Sequence, residues 1–232
     1  MRPTVLLFDV DGTLVTTCGA GRRAVERAFE LRHGTKAALP LSFGGMTDKA
    51  IVRNGLLALG RPFADEAALD AEMEATLAFY LEVLADEVAH TRIRIHEGME
   101  RAMDMAEARP EVALGLGTGN MRKGAAIKLG RVGIYHRFTF GGFGDDSIDR
   151  PTLLMAGARR GAAKLGAAIE DCRIVVIGDT PKDVASAKAI GADSVAVATG
   201  MHDVAELRSC EPTAVFANLA DENAPAALFG RA

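Results

Sequence analysis

Residues 8–14 read FDVDGTL and continue the short apolar run Val5–Phe8. The run predicts a buried strand, and two carboxylates, Asp9 and Asp11, emerge together where that strand stops and Gly12 turns the chain. Open α/β sheets build their binding sites at the carboxyl ends of such strands. Because carboxylates this close repel each other, we expect a hard divalent cation with oxygen ligands between them. The alternative is a solvated Asp-Gly turn.

A second acidic strand end follows late in the chain. Residues 177–183 read IGDTPKD, which places Asp179 and Asp183 four positions apart at the start of a helix. Positions i and i+4 share one face of a helix. Asp179 could instead be an ordinary N-cap, since Pro181 suits the first helical turn. Two acidic strand ends in one sheet favour a shared cation.

A third polar turn follows the apolar run Val112–Leu116. Residues 117–120 read GTGN and precede a helix whose start offers unpaired amides. A hydroxyl, here that of Thr118, together with backbone N–H groups at a helix N-terminus forms an anion site suited to phosphate. The alternative is a cap and turn without a ligand.

Short apolar runs separated by helical patterns outline the second half of the chain. Such runs are typical of parallel strands that are buried on both faces. They lie at Val5–Phe8, Val112–Leu116, Arg173–Ile177, Ser194–Ala198 and, more weakly, Ala214–Phe216. Helical patterns between the later runs cover residues 121–129, 152–165 and 182–190. This alternation predicts a layered αβα domain with a parallel sheet.

The first half is predicted to be helical, because about a hundred residues separate the first strand from the second. Apolar residues recur there at helical spacing over residues 22–32, 49–59 and 66–89. The simplest account is an insertion between the first two strands of the sheet. We therefore predict a core of residues 1–16 and 91–232, interrupted by a helical cap of residues 17–90.

The composition is that of a globular protein without a nucleic-acid surface. Of 232 residues, 49% are hydrophobic and 25% charged, and 27 Lys and Arg against 31 Asp and Glu give a net charge of −4. Three unpaired cysteines indicate neither a disulfide framework nor a zinc site. The apolar run near the N-terminus is too short for a signal peptide, and no stretch approaches a membrane span. We expect a cytoplasmic protein that binds neither nucleic acid nor membrane.

The three polar turns, in this order, resemble the motifs of the haloacid dehalogenase-like (HAD) superfamily, whose first motif reads D-x-D-G-T and whose last reads G-D-x-x-x-D. The resemblance covers nearly the whole chain, and the helical insertion after the first motif is similar to the phosphoglycolate phosphatase and β-phosphoglucomutase branch. It implies a Rossmann-like three-layer αβα core with an inserted helical cap, Mg²⁺ as cofactor, and phosphoryl transfer through an aspartyl phosphate. The implied partner is a small phosphorylated metabolite, and the oligomeric state stays unknown.

The resemblance assigns roles to the four aspartates. Asp9 would be the nucleophile, and Asp11 the general acid that protonates the leaving alcohol and then activates water. Asp11 also separates the chain from the dehalogenase branch, which lacks a second Asp in this motif. Mg²⁺ would be held by the Asp9 carboxylate, the Asp11 backbone carbonyl and Asp179. Asp183 would be a more distant acid or a ligand through a water.

The phosphate and the rest of the substrate would meet two further segments. Thr118, with the amides of Gly119 and Asn120, would hold the transferring phosphoryl oxygens. In this branch the cap supplies substrate contacts, and the turn that enters its second helix offers Thr47 and Lys49 as candidates. For a surface lysine, a solvated helix face is the alternative.

The chain departs from the family pattern in the third motif, where a Lys usually neutralises the phosphoryl group. Here the matching position is Arg150, which keeps the charge but has a different geometry. Alternatively, Lys164 or Lys182 supplies the charge and Arg150 lies at the surface. The glycine and acid run of residues 141–146 just before it is predicted to be a flexible surface loop.

These residues favour a Mg²⁺-dependent phosphatase of a small phosphomonoester, such as phosphoglycolate or a sugar phosphate. One alternative is a β-phosphoglucomutase-like phosphomutase, which would return the phosphoryl group from Asp9 to a second hydroxyl. Another is a HAD-fold protein that binds a ligand or partner without catalysis. The complete set of aspartates argues against that last alternative, whereas Arg150 in the third motif leaves it open.

Overall fold

A six-stranded parallel sheet forms the centre of the computed structural model, which describes residues 2–35 and 43–230. The strands are β1 (Thr4–Phe8), β2 (Val15–Thr16), β3 (Arg94–Ile95), β4 (Val112–Gly117), β5 (Gly141–Gly142), β6 (Arg173–Gly178), β7 (Asp193–Val197) and β8 (Ala214–Phe216). The order in the sheet is β5-β4-β1-β6-β7-β8, and every neighbouring pair is parallel. The five strands predicted from apolar runs are confirmed, and the α/β fold class with them.

Helices cover both faces of this sheet. They are α1 (Ala20–His33), α2 (Asp48–Ala58), α3 (Glu66–His90), α4 (Met99–Glu107), α5 (Arg122–Arg131), α6 (Arg150–Lys164), α7 (Pro181–Ala189), α8 (Val204–Ser209) and α9 (Ala224–Phe229). Side chains alternate along β1, so that Val5 and Leu7 pack against α6 and α7 while Leu6 and Phe8 face α4 and α5. Both faces of β1 are therefore buried, which is why its sequence is continuously apolar.

The register of the central strands brings their carboxyl ends to one edge. Phe8 at the end of β1 lies beside Leu116 of β4 on one side and Ile177 of β6 on the other. The residues that follow these three positions therefore leave the sheet side by side. The polar turns that are far apart in the sequence meet there.

The run of residues 141–146 is not the surface loop that its composition predicts. Gly141 and Gly142 form the edge strand β5, which pairs with β4, and both are buried. A Cβ atom on Gly142 would lie 1.8 Å from the carbonyl oxygen of Leu153 in α6. The glycine is thus needed because the backbone of α6 approaches the strand closely, which composition alone does not reveal.

Three helices, α1 to α3, lie between β2 and β3 in the chain, as the periodicity predicts. Both α1 and α2 pack against the long helix α3. The strands β2 and β3, which come directly before and after these helices in the sequence, pair in antiparallel fashion, with Val15 opposite Ile95. The division into a core of 1–16 and 91–232 and a cap of 17–90 stays a prediction, and residues 36–42 of that cap lie outside the described residues. Among the helices of the described ranges, none has the length and apolar character that a membrane crossing requires.

Candidate active site

Three polar side chains leave the sheet at adjacent strand ends. Asp9 follows β1, Thr118 follows β4 and Asp179 follows β6, and all three are buried. The backbone N–H of Asp9 donates to the carbonyl oxygen of Ile177 at 2.9 Å, which extends the pairing of β1 and β6 by one residue. The first and last acidic turns are therefore fixed against each other by the sheet itself.

Three buried carboxylates converge at this edge. Oxygen atoms of Asp9, Asp179 and Asp183 lie within 4.8 Å of one another, and each residue is at most 6% exposed. Burial, together with repulsion from Asp183, raises the pKa of Asp9 to about 6 against the opposing effect of Arg150. Burial, followed by repulsion from Asp183 and Asp9, raises the pKa of Asp179 to about 8. Carboxylates in this state are suited to hold a divalent cation, which would offset their repulsion.

Asp183 is committed to bonds within the protein. Its Oδ2 atom accepts from the Thr180 backbone N–H at 3.0 Å and from the Thr180 hydroxyl at 2.7 Å, in a capping box that begins α7. Its Oδ1 atom accepts from Arg150. Because both oxygens are engaged, Asp9 and Asp179 have the freer carboxylates of the cluster.

Arg150 is the cation that the structure places among these acids. It begins α6, is 6% exposed, and its Nη2 atom lies 2.5 Å from Asp183 Oδ1 and 3.2 Å from Asp9 Oδ2. Lys164 and Lys182 are exposed, and Lys164 donates to the hydroxyl of Thr139. The Nε–H of Arg150 is buried without a hydrogen-bond partner among the described residues. That donor is available to an anionic ligand.

Asp11 lies beside the cluster with both carboxylate oxygens bonded. Its Oδ2 atom accepts from Lys128 Nζ at 2.6 Å and from Asn120 Nδ2 at 2.9 Å, and its Oδ1 atom accepts from the Thr17 hydroxyl at 2.9 Å. Burial alone would raise the pKa of Asp11, but the Lys128 ammonium and these hydrogen bonds outweigh burial and lower it. Asp11 is therefore ionised when the cavity holds no substrate.

The turn after β4 places Thr118 and Asn120 between the two aspartates of the first motif. The Thr118 hydroxyl hydrogen-bonds Asp9 and accepts from Asn120 Nδ2 at 2.9 Å. At the start of α5, two backbone N–H groups already have side-chain acceptors. The backbone N–H groups of Met121 and Arg122 donate to Asp48 and Asp145, respectively. These two groups are therefore engaged within the protein, and the holding of phosphoryl oxygens by Thr118, Gly119 and Asn120 stays a prediction.

A cavity of about 420 Å³ opens above these residues, between the strand ends and helices α1 to α3. Its floor includes Asp9, Asp11, Arg150 and Asp179. Its lining also includes the apolar side chains of Val25, Phe43, Met46, Ile51 and Met201, and the Arg22 guanidinium lies over the Phe43 ring at 4.1 Å from its centroid. The site is thus a small chamber with acidic groups at the strand ends and a mixed lining of apolar side chains and Arg22 towards α1.

The two cap residues predicted to contact substrate do not line this cavity. Thr47 caps α2 by accepting from the Ala50 N–H, and its hydroxyl donates to the Ile148 carbonyl oxygen at 3.1 Å. Lys49 pairs with Glu74 of α3 at 3.0 Å. Asp48, which lies between them in the sequence, does line the cavity. Their placement therefore gives no support to a substrate contact by Thr47 or Lys49.

Sequence reasoning assigned no role to several cavity residues, among them Asp48, Tyr80 and Lys128. All three are buried, and the Tyr80 hydroxyl hydrogen-bonds Asp48. Burial raises the pKa of Asp48 to about 6, and the nearby Lys128 ammonium opposes this shift. One signal was present in the sequence, since Lys128 shares a helix face with Ala125 and is followed by Leu129, both fully buried. A lysine on an apolar helix face requires a partner.

Comparison with known proteins agrees with this geometry. Residues 151–222 match the Hydrolase_like family model, which is described as HAD-hydrolase-like. The chain is 27% identical over 228 residues to phosphoglycolate phosphatase 1 of Pseudomonas aeruginosa, an alignment that covers 94% of this chain and 78% of that protein. The alignment therefore covers nearly the whole chain.

Solved structures share the fold along nearly the whole chain. CbbY from Rhodobacter sphaeroides in complex with phosphate superposes with a TM-score of 0.72 at 18% identity, over 98% of this chain and 99% of that one. A hydrolase from Pseudomonas syringae has a TM-score of 0.66 at 22% identity, over 94% and 95% of the two chains. At such identities the likeness establishes the fold. The chain is thus similar to haloacid dehalogenase-like hydrolases in the family model that matches residues 151–222, in the relative that aligns over 94% of the chain, and in its fold.

Proposed function

We propose that this protein is a Mg²⁺-dependent phosphatase that hydrolyses a small phosphomonoester through a phosphoryl intermediate on Asp9. The observation that carries the proposal is the convergence of Asp9, Asp179 and Asp183 within 4.8 Å, with Arg150 beside them and Asp11 on the same cavity floor. The similarity to a curated phosphoglycolate phosphatase supports the same reaction class. Phosphoglycolate is accordingly the first substrate to test.

The residues at the strand ends fit a magnesium ion. The Asp9 and Asp179 carboxylates and the Asp11 backbone carbonyl would hold it, because Mg²⁺ prefers oxygen ligands. The raised pKa values of Asp9 and Asp179 show that burial and mutual repulsion disfavour their ionised forms, and a bound cation would offset both effects. When bound, Mg²⁺ would neutralise phosphoryl charge and draw the phosphate towards Asp9. Asp183 would act through Thr180 and Arg150, which occupy its two oxygens.

The first displacement transfers the phosphoryl group to Asp9. A carboxylate oxygen of Asp9 forms a bond to phosphorus as the bond from phosphorus to the leaving oxygen breaks, and Asp11 gives its proton to that oxygen. Arg150 and Thr118 offset charge on the other phosphoryl oxygens. Asp11 is ionised in the empty site and takes up a proton from solvent when the phosphate binds, because the negative charge of the phosphate raises the pKa of a neighbouring carboxyl.

The second displacement regenerates the enzyme. Asp11, now ionised, accepts a proton from a water molecule whose oxygen attacks phosphorus, and the bond between phosphorus and Asp9 breaks. Inorganic phosphate leaves, and Asp11 returns its proton to solvent as the site empties. The sum is one phosphomonoester and one water converted to one alcohol and one phosphate. The cover of helices over the cavity limits the access of bulk water to the intermediate.

The size of the chamber indicates a small substrate. A volume of about 420 Å³ lies at the lower end of the range for ligand pockets, roughly 300–1,000 Å³. The phosphate and the cation take the charged end of that space. The remaining volume, walled by Val25, Phe43 and Ile51, suits a leaving group of a few carbon atoms.

The test is phosphate release from a panel of phosphoglycolate, glycerol phosphates and sugar phosphates by the purified chain with Mg²⁺. We expect turnover that stops when EDTA removes the metal and when Asp9 is changed to Asn. Asp70→Asn, at an exposed position of α3, is the matched control and should retain full activity. Inactivity across the panel would contradict the proposal, and conversion of glucose 1-phosphate to glucose 6-phosphate without phosphate release would indicate a phosphomutase instead.

A further inference from the structure

Lys128 is a buried cation that belongs to none of the motifs. It lies on α5, and its side chain is 3% exposed. Its Nζ atom donates to Asp11 Oδ2 at 2.6 Å and to Asn120 Oδ1 at 2.5 Å. The Lys128 ammonium therefore links Asp11 to the turn that contains Asn120, although Lys128 and Asp11 are 117 residues apart in the sequence.

The carboxylate of Asp11 is restrained from three directions. Lys128 reaches it from α5, Asn120 from the turn after β4, and Thr17 from the segment between β2 and α1. The Thr17 hydroxyl bonds Oδ1, whereas the two other groups bond Oδ2. Rotation of the carboxylate would break at least one bond on each oxygen. Of these donors, only Lys128 carries a charge, and charge-assisted hydrogen bonds are the stronger ones.

We propose that Lys128 is the positioning residue that aims the Asp11 carboxyl at the leaving oxygen of the substrate. The inference rests on the proposed phosphatase function and deepens it. Proton transfer in a transition state requires the donor within hydrogen-bond distance and in line, so a carboxyl that rotates freely loses much of its effect. Lys128 holds Asn120 with the same ammonium, which fixes the acid relative to the turn that binds the phosphate.

The competing interpretation is that Lys128 only neutralises the buried charges around it. Asp48 lies close enough for its charge to act on Lys128, so a purely structural cation is a coherent alternative. The two interpretations differ in what removal of the ammonium does to different substrates. Loss of a structural cation impairs the site for every phosphomonoester, whereas loss of acid positioning harms only those whose leaving group needs a proton.

The experiment compares kcat/KM for the most active alkyl phosphate of the panel with kcat/KM for p-nitrophenyl phosphate. An alkoxide leaves only with protonation, but p-nitrophenolate leaves without it. Because kcat/KM covers steps up to release of the leaving group, it does not report the later attack of water. We expect Lys128→Met to lower the value for the alkyl phosphate about 10²-fold, the scale of general acid catalysis, and to leave the aryl value little changed.

Three further variants make the comparison specific. Lys123→Met changes an exposed lysine on the same helix and should leave both values unchanged. Thr17→Val removes the bond to the other Asp11 oxygen and should shift the alkyl to aryl ratio in the same direction by a smaller factor. Lys128→Arg restores the charge and should recover part of the loss. If Lys128→Met does not fold, as judged by its thermal transition, Thr17→Val and Lys128→Arg carry the test.

Each outcome decides a separate question. A selective loss on the alkyl phosphate supports the positioning role. An equal loss on both substrates, with normal folding, overturns it and leaves the phosphatase function standing. A wild-type chain without activity on either substrate overturns the proposed function and this inference with it.

Discussion

The Asp48 carboxylate accepts the backbone N–H of Met121 at 2.8 Å, so that a residue of α2 caps the start of α5. No side chain of its own segment caps α5. The backbone N–H of Asp48 also donates to the Gly119 carbonyl oxygen at 2.8 Å. The start of α2 therefore holds the turn after β4 on two sides, which couples the position of α2 to the order of that turn.

Removal of the Asp48 carboxylate should weaken this coupling. Asp48→Ala deletes the N-cap of α5, which costs about 1 kcal/mol, and frees the α2 turn to move away from Gly119. A lower population of the closed arrangement weakens apparent substrate binding, so KM should rise more than kcat falls. Steady-state kinetics and urea denaturation measure both effects. Asp70→Ala on the exposed face of α3 is the control, and an unchanged KM for Asp48→Ala would contradict the coupling.

The contact of Gly119 with the cap makes a sharper test. A Cβ atom at Gly119 would lie 2.2 Å from the Met46 carbonyl oxygen, a backbone atom that cannot rotate away. Gly119→Ala should therefore hold the cap open and abolish most activity, while the sheet and its stability are largely retained. Gly130→Ala on α5 is the matched control, because a Cβ there meets nothing within 4 Å. Activity of Gly119→Ala close to that of the wild type would show that closure against Gly119 is not required.

Arg150 should be needed for folding as well as for turnover. Arg150→Met leaves Asp9 and Asp183 buried without their cation, and breaking a buried ion pair costs about 3–5 kcal/mol. We expect this loss in the free energy of unfolding of the metal-free protein, measured in urea, and a partial recovery in Arg150→Lys. Lys164→Met and Lys182→Met remove exposed charges and should change the free energy of unfolding by less than about 0.5 kcal/mol. If either surface variant instead destroyed activity, the assignment of Arg150 to the third motif would fail.

The metal-free protein should lose stability as the pH rises. Burial raises the pKa of Asp9 to about 6 and that of Asp179 to about 8, so the folded state keeps protons that the unfolded chain has already released. The free energy of unfolding then falls between about pH 4 and about pH 8. Mg²⁺ binds the ionised carboxylates, so the rise in Tm that it produces should grow over the same range.

Thermal unfolding with and without Mg²⁺ at about pH 6 and about pH 8 measures this dependence. Asp179→Asn should flatten the pH dependence in the absence of metal and reduce the stabilisation by Mg²⁺. Asp70→Asn should change neither. A Mg²⁺ effect that is the same at both pH values would contradict the interpretation that these carboxylates form the cation site.

Local patterns predicted the parts of this protein that depend on neighbouring residues in the chain. A strand buried on both faces must be apolar throughout, so β1, β4, β6 and β7 could be read from their runs, and the polar residues after them marked the site. The glycines of β5 were misread, because their burial depends on how closely α6 approaches. The short pairing of β2 with β3 was missed, since two residues are too few to form a pattern.

The sequence by itself determined the sheet, the inserted helices and the acidic strand ends, because hydrophobic periodicity and strand termini are local properties. Only the tertiary structure decided which cations and which cap residue meet those acids. Arg150 rather than Lys164 or Lys182 reaches Asp9 because α6 begins at the strand ends. Successive residues at the start of a helix point in different directions. Because α2 packs against Gly119, the side chain that lines the cavity is that of Asp48 rather than that of Thr47 or Lys49.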